Sequence, residues 1–150
     1  MKRITSQSLK KQLGIGLLQV AMAILILSVG AVYVWRAYEE SLAASRTNFA
    51  LEEVSRWLGH MANIASLNSH IFTGLTAASV LAQTPIENVT NLYGTTITAV
   101  GTASEWPLAY TFPDAKSCEY VEARIQNHPG LTTTAPSCNA TTNVLTATID

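Results

Sequence analysis

The pattern of apolar and polar positions changes character twice along the chain. From Leu13 to Trp35 there are 23 residues without a charge. About 20 apolar residues in a helix cross a hydrocarbon core roughly 30 Å thick, so this run predicts a membrane span. After Trp35 the pattern becomes periodic. Ala50, Leu51, Val54, Trp57, Leu58, Met61, Ile64 and Ala65 recur at spacings of three and four, which places them on one helix face. Arg36, Glu39, Glu40, Arg46, Glu52, Glu53 and Arg56 fall mostly elsewhere, and the first proline is Pro85. The expectation is one helix from about Ile15 to about Leu67, about 80 Å long at 1.5 Å per residue. Its first half, apolar all round, requires lipid or protein about it. Its amphipathic second half requires something globular along its stripe.

Beyond Leu67 the period is lost. Leu75 to Gln83 reads as a short helix ended by Thr84-Pro85. The composition then turns to threonine, glycine and β-branched residues. Thr95 to Val100 alternates as a strand does, and Gly101 to Glu105 reads as a turn. Trp106 to Phe112 is a second strand, with Pro107 placing it at an edge or a strand start. Pro113-Asp114 opens a helix to about Asn127, which His128-Pro129-Gly130 ends. Leu131 to Ala140 reads as loop with a strand fragment, and Thr142 to Ile149 as a final strand. The fold class expected is α+β: a long N-terminal helix on a small antiparallel sheet with short helices.

Charge adds an orientation. Lys2, Arg3, Lys10 and Lys11 precede the span, whereas beyond Gly14 five bases accompany all ten acids. Basic flanks stay in the cytoplasm, so the N-terminus is expected inside and the acidic head outside. That acidic head argues against nucleic acid as a principal partner. Met1 to Gly14 has the look of a secretory n-region. The apolar run, however, exceeds the usual 7–15 residues of a signal peptide, and no small-x-small site follows it. Cys118 and Cys138 both lie in the exported part, where two thiols ordinarily pair. Free thiols or a metal site are the alternatives, and two cysteines without a histidine cluster make a poor zinc site.

Candidate chemistry is sparse. His60, His70 and His128 share no helical face or motif, and no metalloprotease, nucleophile-elbow or phosphate-loop signature occurs. Glu39/Glu40 and Glu52/Glu53 are adjacent in sequence and so diverge on a helix. No enzyme activity, cofactor or metal is expected. Asn88-Val89-Thr90 and Asn139-Ala140-Thr141 match the short N-glycosylation sequon, a pattern that also arises by chance. Tyr33 and Trp35 stand where an interfacial belt belongs, and Trp57 reads as helix-to-sheet packing. Gln19 is the one amide near the start of the apolar run. There it is either tolerated near the interface or bonded to a polar group on a neighbouring copy.

Lys10-Lys11-Gln12-Leu13-Gly14 followed by the apolar helix resembles the leader and span of the type IV pilins, specifically the type IVb, PilS-type family. In the head, Asn48 to Glu53, Asn91 to Thr98, and Cys118 with Cys138 are similar to that family's amphipathic segment, first-strand turn and C-terminal disulfide. The resemblance implies a leader at 1–14, a transmembrane and polymerisation helix at 15–35, and an exported head at 36–150. It implies that prepilin peptidase cuts after Gly14 and methylates Ile15, and that inner-membrane assembly machinery builds a helical homopolymer. The subunit would wait in the inner membrane with its head in the periplasm, then join an extracellular pilus serving adhesion or conjugation. Gly16, Gln19 and Gly30 are the expected assembly residues. Where the family carries a glutamate, this chain has Gln19, which accepts a hydrogen bond but cannot neutralise a charge. That difference keeps open a minor or accessory pilin or pseudopilin of a pilus or type II secretion system. A single-pass anchored periplasmic binding protein is the reading from another class.

Overall fold

The computed structural model describes residues 6–86, 88–129, 131 and 134–150, with 6–15 by backbone alone. Helix α1 spans Ser6–Leu67. It begins nine residues before the expected start at Ile15. Lys, Gln and Leu between Gln7 and Leu13 are good helix formers, and one glycine at position 14 does not stop a helix. Its end falls where the period fails. There Asn68 Nδ2 donates to the Ile64 carbonyl at 2.9 Å and His70 N–H to the Ala65 carbonyl at 2.9 Å. These bonds satisfy carbonyls that the last turn leaves open. Ser69 and His70 turn the chain with φ of 56° and 59°.

The chain divides into two compact units, Met1–Ala43 and Ala44–Asp150. The second is an α+β unit. After α1 come α2 (Ala77–Gln83), β1 (Thr98–Ala99), β2 (Trp106–Thr111), α3 (Ala115–Ile125), β3 (Ser137–Asn139) and β4 (Val144–Ile149). The four strands form one antiparallel sheet in the order β1-β2-β4-β3. Trp106, Leu108 and Tyr110 lie opposite Ile149, Ala147 and Leu145, and all six are buried. The predicted stripe on α1 joins them in one core, with Ala50, Val54, Trp57, Leu58, Met61, Ile64 and Ala65 at 0–2% exposure. Leu51, at the stripe's margin, is half-buried. Burying a large apolar side chain contributes about 1.5–3 kcal/mol, so this face is what holds the C-terminal part of α1 to the sheet.

Several boundaries differ from the expectation. α2 starts two residues later because Thr76 is its N-cap, with Ser79 returning a bond to the Thr76 N–H. The expected strand at Thr95–Val100 shrinks to two residues, flanked by single bridges Thr90↔Thr96 and Thr76↔Val100. β2 is a central strand, not an edge. Pro107 fits because β1 reaches only Leu108, so one flank at Pro107 is open. α3 ends at Ile125, and Asp114 caps it by accepting from Ser117 N–H at 2.8 Å. β4 begins at Val144 because Asn143, at φ 55°, completes the turn from β3. Gly101 has a packing reason: an added Cβ would strike the Phe72 carbonyl, while its N–H donates to the Leu75 carbonyl at 2.8 Å.

Candidate functional site

From Ser6 onward unit Met1–Ala43 is a length of helix, and its distinguishing property is exposure. Every large apolar side chain from Leu17 to Trp35 is open, from 57% at Val32 to 77% at Leu17. The helix is long and apolar enough to cross a membrane. Gly14 and Ile15 belong to α1, but their side chains lie outside the described residues. A Cβ at Gly16 or Gly30 would meet nothing within 4 Å, so each offers a flat spot on the helix surface. Gln19 is exposed and makes no hydrogen bond among the described residues. Ser28 Oγ returns its hydroxyl to the Leu25 carbonyl at 2.8 Å, which removes one polar demand from the apolar run. A shallow groove of about 760 Å³ runs beside Gly30, lined by Ile26, Leu27, Gly30, Ala31, Val34, Trp35 and Tyr38. At its end Trp35 Nε1 donates to Glu39 Oε1 at 2.8 Å. Sequence reading placed Trp35 in a belt and missed this bond, although the i, i+4 spacing was the available signal.

In unit Ala44–Asp150, Cys118 and Cys138 form a disulfide with a Cα separation of 5.9 Å. It joins the first turn of α3 to β3, and Glu122 of α3 also accepts the Cys138 N–H at 3.0 Å. Glu53 ties α1 to the sheet: it accepts from the Tyr110 hydroxyl at 2.5 Å and from Leu92 N–H at 3.2 Å. Burial, then the bond to the Glu53 carboxylate and its charge, push the Tyr110 hydroxyl well above the usual phenol value. Burial also raises Tyr93, whose ring lies edge-on to Tyr110. His128 is lowered by burial, opposed by a hydrogen bond to the Ser55 backbone. Asn91 is buried; its Oδ1 accepts from Tyr93 and Thr95 N–H while Nδ2 donates to the Thr111 carbonyl. These bonds build the turn that leads into β1.

Two clefts of about 370 and 460 Å³ flank Glu53 and Arg56, whose guanidinium pairs with Glu52 at 2.9 Å. The three histidines do not converge. No group of three or more His, Cys, Asp or Glu side chains is arranged to hold a metal among the described residues. Trp57 is a core residue, 1% exposed. The described residues thus present an exposed apolar helix in one unit and a disulfide-linked core in the other. Compared with known proteins, the chain matches no family model, no curated protein and no solved structure.

Proposed function

We propose that this chain is a structural subunit of a type IV pilus, of the type IVb kind, with a pilin fold. The observation that carries the reading is the exposure of every large apolar side chain from Leu17 to Trp35 on a helix that continues into a disulfide-closed α+β core. An apolar surface of that size cannot face water; at about 1.5–3 kcal/mol per side chain it demands lipid or other helices. A pilin uses both in turn. In the inner membrane α1 is held by lipid with the head in the periplasm. Prepilin peptidase cuts after Gly14 and methylates Ile15, and the assembly machinery moves the subunit into an extracellular fibre. Lipid tails are as apolar as leucine, so close packing and polar pairs must supply the preference for neighbouring helices. Gly16 and Gly30 permit close approach, and Gln19 supplies an amide for a bond to an adjacent copy.

Gln19 also favours a second assignment within the same class. A neutral amide cannot pair with a charged N-terminus, which suits a minor or accessory subunit inserted at low frequency. The cut-site claim is tested with Gly14→Val. In cells with active prepilin peptidase this variant keeps its full precursor mass and stays in the membrane fraction. Processing at the normal rate would remove the cut site, and with it the leader, from this account.

A further inference from the structure

The groove beside Gly30 and the Trp35–Glu39 bond lie on the same stretch of helix, and neither is needed to hold the fold. The groove is apolar along its length, with its notch at Gly30 and Ala31, where side chains are absent or short. Its upper end changes chemistry. Trp35 and Tyr38 are 65% and 61% exposed, so their rings are open. The indole N–H, which at a bilayer surface would ordinarily seek lipid oxygen, is already taken by Glu39. What remains outward is an aromatic face beside a carboxylate, a pairing that attracts an organic cation. Arg36, about 100° round the helix from Trp35, forms no ion pair among the described residues, although Glu39 and Glu40 stand three and four residues away. Next to Trp35 in the chain, it is the cation nearest in sequence to this end of the groove.

We propose that this groove and its polar end bind one lipid with an ammonium headgroup: an acyl chain along Ile26, Gly30 and Val34, the ammonium against Glu39 and the Trp35 ring, the phosphate toward Arg36. An anionic lipid without an amine meets the Glu39 carboxylate instead and is disfavoured. The inference rests on the membrane-span reading above, and it deepens the pilus reading. The bound lipid occupies the Gly30 notch until a neighbouring helix replaces it, so assembly becomes an exchange of one specific ligand for another.

The test uses the full chain in vesicles and bromine quenching of Trp35. Brominated acyl chains are carried either on phosphatidylethanolamine or on phosphatidylglycerol, at equal mole fraction in an otherwise identical bilayer. Trp57 and Trp106 are buried in the other unit, and the signal of Trp35→Phe subtracts them. The expected result is about two- to fivefold stronger quenching by the ethanolamine lipid, the range of a partly exposed cation–π contact. Glu39→Gln, which keeps an acceptor for the indole but not the charge, removes that preference. Gly30→Leu, which fills the notch, weakens quenching by the ethanolamine lipid. Equal and strong quenching by both lipids overturns the proposal and leaves the span intact. Quenching that falls for both lipids alike as protein is added overturns it too, since a second copy then covers the groove. Absence of quenching by either lipid overturns it together with the span.

Discussion

Glu53 shows how one side chain fixes two elements. Its carboxylate meets Tyr110 of β2 and the Leu92 N–H of the loop before β1, so α1, loop and sheet are joined at one point. Removing the donor with Tyr110→Phe leaves Glu53 one bond short in a half-buried place. The expected cost is about 1–3 kcal/mol, read as a lower urea midpoint of the head. Gly101→Ala drives a methyl into the Phe72 carbonyl and costs about as much, by overpacking. His128 gives a pH dependence. Its folded value lies below the ordinary 6.5, so below that pH the unfolded chain binds more protons than the native one. Stability contributed by neutral His128 is present above pH 6.5 and is lost as the pH falls. Urea midpoints measured between pH 7 and 5 should fall less steeply for His128→Gln than for the wild type. None of these contacts was legible in sequence. Glu53 and Tyr110 are 57 residues apart, and the only trace of Glu53's role was its place at the margin of an apolar stripe.

Among the elements, α1 was the most legible, because it carries long-range periodicity and no breaker. The expected stripe became the core, with only Leu51 at its margin. Leu58→Ala, at a fully buried position, should cost about 2–5 kcal/mol, whereas Phe49→Ala, 60% exposed, should stay within about 0.5 kcal/mol. The start of α1 was misplaced because apolar pattern marks where a helix must be buried, not where its backbone begins. Strands were harder to read. β1 keeps two residues because single bridges and loop bonds take over the backbone on either side. Of the two places Pro107 allowed, the strand start is the one it takes, and the short β1 leaves its flank without a ladder partner inside the sheet. The disulfide holds α3 to β3, a contact made of a few short elements. Reduction of Cys118–Cys138, closing a separation of 20 residues, should lower head stability by about 3 kcal/mol, measured as a drop in urea midpoint with reductant.

For the whole molecule, the two units differ in how they treat apolar side chains. Unit Ala44–Asp150 gathers most of its large apolar side chains into one core and carries a disulfide. Unit Met1–Ala43 exposes nearly all of its apolar side chains that are described. A chain built this way is unfinished by itself, and the pilus reading names what completes it: lipid first, then copies of itself. Of the candidate site, the long apolar helix and the cysteine pair were readable because each is a local signal. The Trp35–Glu39 bond and the groove beside Gly30 required side-chain positions. The measurement that bears most directly on the central claim is the mass of this polypeptide in filaments sheared from the surface of cells that make it. The account predicts a sheared chain whose first residue is an N-methylated Ile15. A polypeptide that never enters the sheared fraction, and keeps residues 1–14 in the membrane, contradicts it.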